Sequence, residues 1–231
     1  MTKIAESVNR FPAGGQKVLQ TVVRYLFMML LAFLMFGLIL LIAGKDPLAS
    51  YKDIFSSTLG STRGFSEVIV SMIPMLITAL AVALPFRVGL INIGGEGQLF
   101  LGAAFDTFGA LTFPSLPAWL LLPLMALLGM LGGALWAFIP GTLKAIGLVN
   151  ETITSLLLNS VAPKIIGFLI LGFWHSPRDT VKTPSFVEAA RLPTFFGTRI
   201  HLGLVIGLVL LITFWLVMKY TRWGLEMRAI G

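Results

Sequence analysis

Apolar runs alternate with short polar stretches along this chain. They read as six spans: about 22 to 43, 67 to 85, 96 to 113, 119 to 140, 151 to 174 and 202 to 220. Each offers close to the ~20 residues that a membrane-crossing helix needs, the third being somewhat short. The runs do not alternate and are rich in Leu, Ala and Met, which predicts helices rather than strands. "FPSLP", Phe113 to Pro117, breaks a long uncharged stretch into a hairpin of the third and fourth spans. The pattern predicts an all-α fold: a polytopic transmembrane helical bundle forming one domain over residues 1–231.

One interruption differs from the rest. "GLINIGGEGQ", Gly89 to Gln98, lies between the second and third spans and holds four glycines, Asn92, Glu96 and Gln98. Backbone polar groups in hydrocarbon must be satisfied internally, so glycine-rich irregular backbone survives at membrane depth only inside protein or along a watery path. The segment therefore predicts a broken helix near residues 89–98, a device of transporters. A helix starting near Glu96 presents free N–H groups, and its dipole favours a carboxylate in the first turn. A plain tight turn is the simpler alternative.

Composition supports the membrane reading. The chain has 231 residues, 57% hydrophobic and 12% charged, with mean hydropathy +0.93; soluble domains carry roughly a quarter charged residues. The net charge of +7 is spread between apolar runs. It is read as topology signals and lipid-headgroup contacts, with no nucleic-acid partner. Without cysteine there is neither a disulfide framework nor a thiolate metal site. The apolar run after Arg24 is longer than the ~7–15 residues of a signal peptide, so the first span is expected to stay uncleaved.

Lys and Arg divide weakly between the two sides. With the amino terminus inside, nine fall inside (including Lys3, Arg10, Arg87, Lys144, Arg222 and Arg228) and seven outside (including Lys45, Lys52, Arg63, Arg178, Arg191 and Arg199). The expected topology is a cytoplasmic amino terminus in the plasma or inner membrane. Trp119 and Trp174 then mark the outer interface and Trp223 the inner one. The stretch from His175 to Arg199 reads as an outer connector or part of an external docking surface.

Enzymatic chemistry lacks support. There is no phosphate-binding Gly-x-x-x-x-Gly-Lys-Ser/Thr run, His175 and His201 lack metal-site spacing, and no nucleophile motif occurs. No cofactor or metal is expected. Intramembrane polar groups are the better clue, because they are costly and face interiors or cavities. Asp106 falls mid-span. Glu151, Ser155 and Asn159 recur at i, i+4 and i+8, sharing one helical face, either as interhelical glue or as a path lining. Gly129 and Gly133 read as a close-packing pair. Lys164, inside the fifth span, either snorkels or pairs with a carboxylate.

Three segments in order resemble permease subunits of ATP-driven importers in the branched-chain amino acid, ribose and nucleoside group. They are "PFRVGLINIGGEGQLFLGA" (85–103), "IPGTLKAIGLVNETITSLLLN" (139–159) and "TRWGLEMRAIG" (221–231). The look is closest to the nucleoside, or simple-sugar, permeases. The resemblance implies half of a translocation path, with no ATP chemistry in this chain. It also implies ABC ATPase subunits, a second permease subunit and an extracytoplasmic substrate-binding lipoprotein as partners, besides membrane lipids. The candidate path residues are Asn92, Gly94, Gly95, Glu96, Gln98, Asp106, Glu151, Ser155 and Asn159. The third segment resembles the start of the cytoplasmic coupling region, making Arg222, Gly224, Leu225, Glu226, Arg228 and Gly231 candidates for contact with the ATPase. Leu225, Met227 and Ile230 are its expected apolar anchors. Family permeases run on beyond this point, so the chain reads as the amino-terminal part of a longer permease. The rivals are an ion-coupled secondary transporter using Asp106, Glu96 and Glu151, a sugar permease, and an assembly protein whose polar groups serve only packing.

Overall fold

Helices occupy all six predicted segments in the computed structural model, which describes residues 13–176 and 182–231. Lys3, Arg10 and Arg178, used above for topology, lie outside the described residues. The helices are α1 (Ala13–Ile42), α2 (Pro47–Thr58), α3 (Thr62–Phe86), α4 (Gly95–Thr112), α5 (Ala118–Ala145), α6 (Glu151–Leu171), α7 (Gly203–Tyr220) and α8 (Arg222–Ile230). Among the described residues, α1 (from Val18), α3, α5, α6 and α7 are long and apolar enough to cross a membrane. Large apolar side chains stand exposed along them, such as Phe27, Met75, Phe138 and Phe168, as lipid-facing surfaces require.

The third predicted span is present as α4 but is not one of those five helices. Its 18 residues include Glu96, Gln98, Asp106 and four glycines, which dilute its hydropathy. A helix enclosed by its neighbours does not need an apolar surface all round. α4 packs most extensively against α5 and next against α6.

The chain divides into two units, Met1–Gly64 and Phe65–Gly231. In the first, α2 was not expected, since this stretch read as loop. Its signal was available: Asp46 precedes Pro47, and the Asp46 carboxylate accepts the N–H groups of Leu48 and Ala49 at 2.8 and 3.2 Å. That is a carboxylate N-cap followed by proline in the first turn. Tyr51 of α2 donates its hydroxyl to the Phe33 carbonyl of α1, and its ring lies 5.5 Å from that of Phe33.

In the second unit, α4 and α5 form the central hairpin. They approach closely because side chains are missing where they cross. A Cβ on Gly102 would lie 3.0 Å from the Gly129 carbonyl, and one on Gly132 only 2.6 Å from that of Leu101. Gly133 sits in the same contact, 3.4 Å from the Gln98 carbonyl by that measure, so the Gly129/Gly133 pair serves helix packing as its spacing implied. The segment after α6 is more than a solvated connector. It carries a single 3-10 turn, Glu188–Ala190, and buries Ala190 against Ala110, Leu121 and Met125 of the hairpin, with Phe186 and Leu116 alongside.

Candidate substrate path

The break between α3 and α4 is built by side-chain amides replacing missing backbone partners. Pro85 has no N–H, so the Ala81 carbonyl loses its helical donor. Asn92 Nδ2 supplies one at 3.2 Å. The chain turns through Gly89 at φ +72°, a conformation glycine adopts without strain, and runs non-helically through Leu90–Ile93. Asn92 Oδ1 then accepts the Gly94 N–H at 2.9 Å. Asn92 and Gln98 also face each other amide to amide, with Gln98 Nε2 donating at 3.2 Å and Asn92 Nδ2 at 3.4 Å.

α6 clamps this segment from the other side. The Ile93 N–H donates to Ser155 Oγ at 3.2 Å. The Gly97 N–H donates to Asn159 Oδ1 at 2.8 Å, and Asn159 Nδ2 donates to the Ile93 carbonyl at 2.7 Å. The predicted stripe Glu151, Ser155 and Asn159 is therefore the face turned toward the break. Two of its members are committed to backbone groups, and the Gly97 N–H is bound rather than free. Glu151 pairs with Lys144 at 2.9 Å across the α5–α6 turn. α6 itself starts at Asn150, whose Oδ1 accepts the Thr152 and Ile153 N–H groups at 2.9 and 3.3 Å.

Among the described residues, three cavities follow α4. A small one of about 140 Å³ includes Asn92, Gln98, Pro140, Glu151 and Ser155 in its lining. A second, of about 450 Å³, runs past Thr78, Gly95, Gln98, Gly102 and Asp106. A third, of about 560 Å³, has Asp106 on its wall together with Thr194, Thr198, Arg199 and His201. Gln98 belongs to the first two and Asp106 to the last two. The two larger volumes suit small organic solutes.

The other predicted residues fall as follows. Gly95 lies against α3, where a Cβ would stand 3.4 Å from Thr78 Cγ2, and Gly94 is buried as the N-cap of α4. Positive φ is found at Gly89 and not at Gly94 or Gly95. Glu96 is exposed in the first turn and lines none of the three cavities. With Glu151 paired, Glu96 and Asp106 are free of protein partners among the described residues; of these two, Glu96 is exposed and Asp106 is half-buried on the walls of two cavities. Lys164 is exposed and, among those residues, has no carboxylate partner.

The sequence reading missed Thr194, Thr198, Arg199 and His201 as cavity residues. They lie on a segment read as a connector, and only its fold back over the hairpin places them there. Arg199 pairs with Glu67 of α3 at 2.7 Å, while a bridge between Thr194 and His201 closes the loop.

At the opposite end, α8 turns back sharply from α7. Thr221 Oγ1 accepts the Gly224 N–H at 3.2 Å, and a Cβ on Gly224 would lie 2.6 Å from the Val217 carbonyl. Met227 is buried within the chain, so it is not available as an anchor for a partner. Leu225 and Ile230 are exposed, together with Trp223. Arg222 and Glu226 are exposed, while Arg228 Nε donates to the Gly224 carbonyl at 3.1 Å. Gly231 lies against the backbone of Arg87 and Val88, where the α3–α4 break begins.

A helical bundle with several lipid-compatible spans and an irregular polar segment held inside it defines a multi-pass membrane protein. The chain belongs to the family described as branched-chain amino acid transport system / permease component, which matches residues 64–231. It is 39% identical over 207 residues to the glucose ABC transporter permease protein TsgB13 of Haloferax volcanii, covering 84% of this chain and 54% of that one. It is 32% identical over 226 residues to the nucleoside ABC transporter permease protein NupB of Lactococcus lactis, covering 94% and 61%. It is also 32% identical over 201 residues to the guanosine ABC transporter permease protein NupP of Bacillus subtilis, covering 84% and 57%. The chain thus spans between half and two thirds of the length of these relatives. No solved structure matches it.

Proposed function

We propose that this chain is a permease subunit of an ATP-driven ABC importer for nucleosides, contributing half of the translocation path. The supporting observation is the succession of cavities along α4, joined at Gln98 and Asp106. Two of the relatives are named for nucleosides or guanosine. TsgB13, named for glucose, supports a second reading as a sugar importer. In either case two ATPase subunits act from the cytoplasm, a second permease subunit completes the path, and an extracytoplasmic lipoprotein delivers substrate.

Asn92, Gly94, Gly95 and Gln98 form the irregular wall of the path. Glu151 borders it, and Ser155 and Asn159 hold the wall in place. Arg222, Leu225 and Glu226 on α8 form the surface for the ATPase, with Gly224 allowing the turn. The contact of Gly231 with Arg87 and Val88 ties that surface to the break, so movement of α8 reaches the path through a short chain of backbone.

The amino terminus is cytoplasmic in this reading. Arg87 and α8 gather at one end, whereas Arg191 and Arg199 line the outermost cavity.

Uptake by the assembled transporter tests the proposal. Labelled guanosine should enter saturably and ATP-dependently, with excess glucose failing to compete; glucose uptake without guanosine uptake would favour the sugar reading. A cysteine placed at 144, in a chain that has none of its own, should resist an impermeant thiol reagent added from outside. Its labelling from that side would reverse the topology.

A further inference from the structure

Asp106 is a carboxylate that the bundle leaves unspent among the described residues. It sits mid-helix in α4, forms part of the wall of both larger cavities, and makes no hydrogen bond or ion pair among the described residues. An unpaired carboxylate inside a membrane bundle is expensive and marks a functional site.

Its surroundings narrow the ligand. The ionised carboxylate is acceptor-only, with two oxygens side by side, so the complementary group presents two donors at matching spacing. A cationic amine meets that requirement too, and Arg191 and Arg199 on the same cavity wall are ion-paired with Glu188 and Glu67; the transport reading, with relatives named for nucleosides and glucose, favours a neutral ligand. A pair of adjacent hydroxyls meets it without charge. Gly102 and Gly129, which bring α4 and α5 into contact beside Asp106, also line the second cavity with it, so that stretch of its wall carries no side chain. A ring can therefore pass close to the helix backbone beside the carboxylate. Thr194, Thr198 and His201 line the cavity on the approach. His201 Nδ1 accepts the Gly203 N–H at 3.2 Å, leaving Nε2 as the nitrogen that carries the proton.

We propose that Asp106 recognises the vicinal diol of a sugar ring, its two oxygens accepting the two hydroxyl hydrogens as the ring moves from the outer cavity to the next. This rests on the transport reading and deepens it: discrimination in the membrane acts on the sugar and not on the base.

The test compares uptake of adenosine and 2′,3′-dideoxyadenosine by the assembled transporter, native and with Asp106→Ala. The binding protein's own preference is common to both and cancels in the ratio of ratios. Removing a charge-assisted acceptor should shrink the native preference for adenosine by roughly tenfold. Asp106→Asn, isosteric and keeping one acceptor, should shrink it by roughly threefold by the same reasoning, and serves where the alanine variant is poorly inserted. An unchanged ratio in the variants, or an equal loss for both substrates at normal membrane levels, overturns the assignment to Asp106. Absence of saturable nucleoside uptake in the native transporter overturns the transport reading instead.

Discussion

The two halves of α4 treat polar groups in opposite ways. At its amino-terminal end, Asn92, Gln98, Ser155 and Asn159 bind each other and the backbone from Ile93 to Gly97. Half-way along, Asp106 binds nothing among the described residues and faces two cavities. Both halves lie against α5 through glycines, so packing does not separate them. The difference lies in what each polar side chain is for. Irregular backbone at membrane depth must be satisfied by protein, and the first half spends its amides on that task. The second half is regular helix that satisfies its own backbone, so its carboxylate is left for something else.

The largest effect that follows is at the clamp. Asn159→Leu strips the Gly97 N–H and the Ile93 carbonyl of their partners together. Leaving the part-buried Gly97 N–H and the more exposed Ile93 carbonyl unpaired should cost about 2–3 kcal/mol. Thermal unfolding of the purified permease in detergent measures it. A midpoint equal to that of the native protein would mean the amide is dispensable and that water substitutes for it.

A smaller effect is expected from Gly97→Ala. The added Cβ would meet Trp136 Nε1 at 2.6 Å and Asn159 Oδ1 at 3.0 Å, both on rigid helices. The indole N–H is already enclosed without an acceptor, so the ring gains nothing by staying and must shift. Overpacking of this kind costs about 1–3 kcal/mol. The same unfolding assay should place this variant between Asn159→Leu and the native protein. A variant as stable as the native protein would show that the clamp has slack.

Much of this contrast was legible in the sequence, and the part that was not has physical causes. Apolar length placed the long helices, and the glycine-rich run with Asn92 and Gln98 marked the break. The 151/155/159 spacing identified one face of α6 but not its task, because a serine or an amide looks the same whether it binds backbone or lines a path. α2 was passed over although Asp46 and Pro47 announce it, because a short amphipathic helix carries little hydropathy signal. The outer cavity could not be read, since Thr194, Thr198 and His201 reach Asp106's side of the bundle only through long-range folding. Glu96 could be read two ways from the start, since a carboxylate in a first turn also answers the helix dipole, and it is exposed and lines none of the three cavities.

The smallest effect should come from Asp106→Asn, and it cuts most directly into the comparison. A carboxylate that holds the bundle together loses its partners on neutralisation, and the protein weakens. A carboxylate kept for a ligand has no such partners to lose. Its neutralisation also removes the cost of a charge held away from water. The unfolding midpoint should therefore stay within the range of an inert substitution, about 0.5 kcal/mol, or rise slightly, in the same preparation in which Asn159→Leu is clearly destabilised. Insertion, measured as the amount of permease recovered from membranes, should match the native level. A loss of stability comparable to that of Asn159→Leu would place Asp106 among the structural polar groups. The two halves of α4 would then differ only in which neighbours their polar side chains serve.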